Sequence, residues 1–125
     1  MAWVVRFDEE LAAWFDDQEA GLQDEILAHV GLLEERGPNL GRPRADTVKG
    51  SAYRNMKELR IQYQGRPWRI LFAFDPRQAA ILLVGGDKGG EKRWYLRNIP
   101  IADRRYKRHL EALEREKKPE KEREK

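Results

Sequence analysis

The run Tyr53 to Tyr63 alternates between its faces, breaks at a turn and alternates again from Trp68 to Phe74, a period that a half-buried strand satisfies and a helix does not. Leu59, Ile61 and Tyr63 fall on one face of the first run, with Glu58, Arg60 and Gln62 opposite. Gln64-Gly65-Arg66-Pro67 has turn chemistry, and Trp68, Ile70, Phe72 and Phe74 then line one face of a return strand whose other face carries Arg69, Leu71 and Ala73. Asp75-Pro76-Arg77-Gln78 predicts a second hairpin turn. Ala79 to Val84 is apolar on both faces and so reads as a central strand. An antiparallel meander is therefore the centre of any fold the chain adopts.

The flanks are helical. Ala2 to Phe7 reads as a short first strand, ended by Asp8, whose carboxylate suits a helix N-cap, with Glu9 and Glu10 in the following turn. Leu11, Trp14 and Phe15 mark the buried side of a helix to about Ala20, with Gly21 as its break. Leu22, Ile26, His29, Val30 and Leu33 continue at helical spacing to Gly37-Pro38, which makes an antiparallel helical hairpin with an acidic outer face. Gly37 to Gly50 reads as an exposed basic loop, and Gly85 to Arg93, with four glycines, as a flexible one. A final helix is expected from near Pro100, carrying Ala102, Tyr106, Leu110 and Leu113 inward. The expected fold class is α+β: a strand and helical hairpin packed on a small, mainly antiparallel sheet with a C-terminal helix. Residues 1–113 form one domain, and 114–125 a charged tail that is a frayed helix or disordered.

Charge is divided along the chain. The formal net charge of +3 hides −8 over residues 1–36, +11 over residues 37–110 and a neutral tail, a division that favours a polyanionic partner for the centre. No cysteine is present, which removes disulfides, thiolate metal sites and thiol nucleophiles. No stretch has the length and apolarity of a signal or membrane span, so a cytoplasmic protein without membrane contact is expected. The spacing of His, Asp and Glu fits no metal site, no cofactor is expected, and neither GxxxxGK[ST] nor GxGxxG occurs. His29 reads as a buried-side helical residue and His109 as a helix-surface residue.

If the meander pairs as its turns suggest, Lys57, Arg60, Arg69, Lys88, Lys92, Arg93 and Tyr95 gather in one region. In these runs, Met56-Lys57-Glu58-Leu59-Arg60, Gly65-Arg66-Pro67-Trp68-Arg69-Ile70-Leu71-Phe72-Ala73-Phe74-Asp75 and Ile81-Leu82-Leu83-Val84-Gly85-Gly86-Asp87-Lys88, the sequence resembles the strand core of RelE/HigB-type toxins of bacterial type II toxin–antitoxin pairs. Leu40-Gly41-Arg42-Pro43 and Val48-Lys49-Gly50-Ser51 are similar to the linker between their helical hairpin and sheet. The resemblance spans about residues 1 to 110 in element order. It implies a metal-independent endoribonuclease, an mRNA interferase cutting mRNA in the ribosomal A site, and a cognate antitoxin, a small helix-turn-helix protein.

Such chemistry needs a deprotonated ribose 2′-OH, stabilisation of the phosphorane and protonation of the departing 5′-oxygen. By position, the resemblance implies that Arg69 is the transition-state arginine, Lys88 contacts the scissile phosphate and Tyr95 stacks on or orients the nucleotide, a role that Trp94 takes if the register differs by one. Lys57 and Arg60 match the basic strand positions that hold RNA or assist proton transfer, and Lys57 is the expected general base. Glu58 stands where some members carry a second lysine. Arg42, Arg44, Lys49, Arg54, Lys92 and Arg93 complete the expected RNA-binding set, with Trp94. Two other readings stay open: a ParE-like inhibitor of DNA gyrase on the same fold, and a non-catalytic RNA-binding module.

Overall fold

The alternating centre of the chain folds as its period requires. In the computed structural model, which describes residues 2–90 and 92–123, the meander forms β3 (Lys57–Tyr63), β4 (Arg66–Phe74) and β5 (Ala80–Asp87). Two short strands complete a five-stranded sheet of order β1-β5-β4-β3-β2: β1 (Val5–Phe7), parallel to β5, and β2 (Ala45–Thr47), antiparallel to β3. Helices α1 (Glu9–Asp16) and α2 (Ala20–Arg36) cover one face and α3 (Arg93–Arg123) the other. The expected α+β architecture is borne out, and β5 is an interior strand between β1 and β4, as its two apolar faces imply, while β4 holds the middle of the sheet.

Side-chain parity sorts the core into two layers. Leu59, Ile61, Ile70, Phe72 and Leu82 pack with Leu11, Leu22, Ile26 and Leu33 under α1 and α2, while Leu71, Ala73, Ile81 and Leu83 pack with Trp94, Ile99, Ala102 and Tyr106 of α3. Between β4 and β5 the register slips: Leu71 lies opposite Val84 and Phe72 opposite Leu82, leaving Leu83 as a bulge. Its carbonyl accepts from Arg105 Nη1 of α3 at 2.7 Å. The extra residue also sets Gly86, rather than Gly85, on the α3 face opposite Arg69.

Several local expectations are corrected. Strand β1 begins at Val5, not Ala2, and α1 ends at Asp16 rather than near Ala20, its end closed by the Gln18 amide donating to the Trp14 carbonyl at 2.8 Å. Gly21 lies inside α2, where a Cβ would meet the Tyr63 hydroxyl at 2.3 Å: the glycine admits the neighbouring ring and breaks nothing. The basic loop contains a 3₁₀ turn at Gly37–Asn39 and the edge strand β2. Helix α3 starts at Arg93, seven residues before Pro100, because burial of Trp94 and Ile99 against the sheet outweighs the helix-breaking tendency of an interior proline. It continues through residues 114–123, and Glu124 and Lys125 of the tail lie outside the described residues.

Polar clamps fix α3. Asp103 accepts from Ser51 Oγ (2.5 Å) and Ala52 N (2.9 Å), Arg105 and Arg108 reach Glu10 and Asp8 (2.8 and 2.9 Å), and the Tyr106 hydroxyl donates to the Phe74 carbonyl (2.9 Å). His109 is not a free surface residue, since its Nε2 lies 2.7 Å from the buried carboxylate of Asp75. His29 is buried on the inner side of α2, its Nδ1 2.9 Å from the Glu25 carbonyl. No helix among the described residues is long and apolar enough to cross a membrane.

Candidate active site

On the α3 face, strand register sets Arg60 of β3 beside Arg69 of β4, and Arg69 beside Gly86 of β5. Gly86 is a close-approach position: a Cβ there would sit 2.7 Å from Trp94 Nε1, so the first turn of α3 lies directly on the strand. That turn delivers Trp94, buried, and Tyr95, half-buried, with their rings edge to face at 5.3 Å.

The centre of the group is Glu58. Its Oε1 accepts from the Tyr95 hydroxyl at 2.5 Å and lies 3.4 Å from Arg69 Nε, while its Oε2 lies 3.2 Å from Arg60 Nη1. Arg69 Nε also donates to the Tyr95 oxygen at 3.3 Å, and its Nη1 to the Trp68 carbonyl at 3.0 Å. Arg69 and Glu58 are 4% and 6% exposed, so each compensates a charge that would be costly to bury alone. Burial and the Glu58 hydrogen bond push the Tyr95 phenol above its ordinary pKa, with Arg69 opposing, so Tyr95 is a hydrogen donor at neutral pH. Lys88 Nζ stands 5.9 Å from the centre of the Tyr95 ring, a cation–π distance. Its turn is held by Lys88 N donating to the Pro67 carbonyl (2.8 Å), Gly89 N donating to Asp87 (2.8 Å), and an Arg66–Asp87 ion pair.

The structure thus brings together Arg60, Arg69, Lys88, Tyr95 and Trp94, with Lys92 and Arg93 next to Tyr95 in the chain. Lys57 does not join them. It shares parity with Leu59 and Ile61, projects to the α2 side of the sheet, and its Nζ lies 3.3 Å from the Pro38 carbonyl. Expected as the general base, it is separated by the sheet from the groups it would serve. Arg42 is paired with Asp46 at 2.7 Å, and Arg44 is exposed beside β2, its carbonyl accepting from Arg60 N at 2.8 Å. Lys49 and Arg54 are exposed on the loop that Asp103 ties to α3. Sequence reasoning passed over Glu58 as a site residue. The signal available was a lone carboxylate on the polar face of β3, between strongly basic neighbours. Among the described residues no group of His, Asp and Glu is arranged to hold a metal.

Residues 13–107 match the family model of phage-derived Gp49-like proteins (DUF891). HigB3 of Mycobacterium tuberculosis, named as a toxin, is 50% identical over 97 residues, covering 77% of this chain and 83% of that one. The chain belongs to the Gp49-like, HigB/RelE-type toxin family. HigB2 of the same organism, also named as a toxin, is 44% identical over 108 residues, which is 85% of this chain and 54% of that protein. The HigB/RelE-type fold recurs in a free Escherichia coli RelE toxin variant (TM-score 0.54, 12% identity, 75% of this chain and 92% of that one). It recurs again in the archaeal RelE–RelB complex of Pyrococcus horikoshii (TM-score 0.53, 13% identity, 73% and 100%). In this HigB/RelE-type toxin the cluster lies on the α3 face of the sheet, with Glu58 and Arg69 buried beside the first turn of α3 and Arg60 and Tyr95 partly exposed at its margin.

Proposed function

We propose that this toxin is a ribosome-dependent mRNA endoribonuclease acting in the cytoplasm without a resident metal, and that a cognate antitoxin, a small helix-turn-helix protein, neutralises it. The observation that carries the reading is the convergence of Arg69, Arg60 and the Tyr95 hydroxyl on one buried carboxylate, with Lys88 beside them. Arginine is always protonated, lysine is a cation and Tyr95 holds its proton, so Glu58 is the member able to accept one. In this scheme Glu58 takes the proton from the 2′-OH and the 2′-oxygen attacks the adjacent phosphorus. Arg69 stabilises the phosphorane charge, and the 5′-oxygen leaves with a proton from Lys88 as the P–O5′ bond breaks. Tyr95 orients the nucleotide, Trp94 being packed in the core against Gly86 and out of reach, and the ribosome supplies the alignment of the strand.

Induction of the chain alone in bacteria, with 5′ ends mapped on translated and untranslated mRNA, tests this. Cuts confined to translated frames and abolished by Arg69→Ala with Lys88→Ala are expected. Intact mRNA with damaged DNA overturns the reading in favour of gyrase inhibition, and harmless expression of the wild type favours a non-catalytic RNA-binding module.

A further inference from the structure

The glycine-rich stretch between β5 and α3 reads from the sequence as flexible, yet the structure ties it down on both sides of Lys88. Gly85 and Gly86 belong to β5, which ends at Asp87. Asp87 lies opposite Trp68, so alternation carries its side chain to the face away from Arg69, while Lys88 returns to the Arg69 face and reaches the Tyr95 ring. We propose that Asp87 is a positioning residue: from the far face of the sheet it fixes the turn that aims the Lys88 ammonium at the departing 5′-oxygen of the RNA. The inference rests on the nuclease reading and adds a residue that touches neither substrate nor the cluster around Glu58.

Three observations carry it. First, both carboxylate oxygens of Asp87 are engaged. Oδ1 accepts from Gly89 N at 2.8 Å, and Oδ2 pairs with Arg66, its diagonal neighbour across β4 and β5. With Lys88 N donating to the Pro67 carbonyl at 2.8 Å, the lysine backbone is anchored at its own amide and at the next one. Second, the turn has the shape this grip requires. Gly89 and Gly90 have φ of +59° and +77°, a region that residues with a Cβ avoid, and a Cβ on Gly89 would stand 3.3 Å from Arg66 Nη2, so the guanidinium lies against the turn. Third, stability does not explain the pair. The Arg66 and Asp87 side chains are 60% and 25% exposed, and an ion pair so open to water adds little to folding. What the pair secures is Lys88, a site cation carried by a turn rather than by a strand. A reacting group misplaced by about 1 Å costs roughly a hundredfold in rate, so a turn held before RNA arrives has a direct kinetic value. In the step concerned, the Nζ proton passes to the 5′-oxygen as the P–O5′ bond breaks, leaving a neutral amine and a free 5′-hydroxyl.

The test measures single-turnover cleavage of message on programmed ribosomes by wild type, Asp87→Ala, Asp87→Asn and Glu116→Ala. The last removes a carboxylate from an exposed ion pair with Arg77, at the other end of β4 and β5. Asp87→Ala should slow cleavage roughly ten- to a hundredfold at an unchanged half-saturating ribosome concentration. Asp87→Asn keeps an acceptor for Gly89 N and should lose less, and Glu116→Ala should cleave as wild type does. A message with sulfur in place of the 5′-bridging oxygen has a leaving group that departs without a proton, so on it the Asp87→Ala defect should disappear. In a Lys88→Ala background, Asp87→Ala should add nothing, whereas a purely structural role would slow both messages alike and add to the loss of Lys88. Amide exchange by NMR reads the turn whether or not the protein cuts RNA, and Gly89 N–H should exchange faster in Asp87→Ala. Wild-type cleavage by Asp87→Ala, equal loss in Glu116→Ala, a defect that persists on the sulfur message or adds to that of Lys88→Ala, or unchanged Gly89 exchange overturns the proposal. A wild type that protects Gly89 N–H through Asp87 yet leaves message intact overturns the nuclease reading instead.

Discussion

Replacing Glu58 by leucine should destabilise the protein far more than replacing Arg69 does. Arg69 is 4% exposed, and apart from the Trp68 carbonyl its polar partners are Glu58 and the Tyr95 oxygen, itself tied to Glu58. Glu58→Leu therefore leaves a buried guanidinium without a counter-charge, a loss of about 3–5 kcal/mol. Arg69→Leu leaves Glu58 with Arg60 and the Tyr95 hydroxyl, so part of its compensation survives and the loss is smaller. The double replacement, which removes both charges from the interior, should cost less than Glu58→Leu alone. In urea, with a slope of roughly 1–3 kcal/mol/M for a domain of this size, Glu58→Leu should lower the midpoint by at least about 1 M. If Glu58→Leu costs under about 0.5 kcal/mol, as an exposed substitution would, or if the double variant is the least stable of the three, the argument from a buried compensating charge is wrong.

Other outcomes follow from the same geometry. Tyr95→Phe removes a hydroxyl bonded to two charged groups, worth about 1.5–3 kcal/mol, and should slow RNA cleavage roughly ten- to a hundredfold in single-turnover assays. Gly86→Ala pushes against Trp94 and should displace the first turn of α3, cutting cleavage while circular dichroism retains the folded spectrum. The phenols of Tyr95 and Tyr106 are both raised, chiefly by burial, so the unfolded chain ionises near pH 10 while the folded one still holds the protons. Stability is then fully present below pH 10 and falls as pH rises through the folded values. Urea midpoints measured across that range should decline, and less steeply in a variant with both tyrosines replaced by phenylalanine.

How legible each element was depended on where its cause lies. Strands β3, β4 and β5 are written in local alternation and bounded by turn residues, and they form there, although β3 begins at Lys57 rather than Tyr53 and β5 runs on through Gly85 and Gly86 to Asp87, into the segment expected to be a flexible loop. Strand β2 is three residues without alternation, Ala45-Asp46-Thr47, and exists because β3 offers it an edge. Pro100 is a strong start signal that tertiary packing overrides, since Trp94 and Ile99 bury only if the helix begins earlier. Parity placed Arg60 and Arg69 on one face, and the same parity sets Lys57 beside Leu59 and Ile61 on the other, so its separation from the site could have been read from the alternation. Glu58 was visible as a lone carboxylate on the same face as Arg60, but its bonds to Arg69 and Tyr95 were not, because those partners come from β4 and α3 and reach it only in the folded chain.

The order in which the site's parts occur along the chain has a consequence for its assembly during synthesis. Glu58, Arg60, Arg69 and Lys88 are all made before α3, and the sheet that carries them can pair while the polypeptide is still growing. Tyr95 takes its place only when α3 docks, and the clamps that hold α3, at Asp103, Arg105, Arg108 and His109, are made later still. Until those residues emerge, the chain carries its charges without the ring that arranges them, and the proposed site stays unfinished while the protein is still being made.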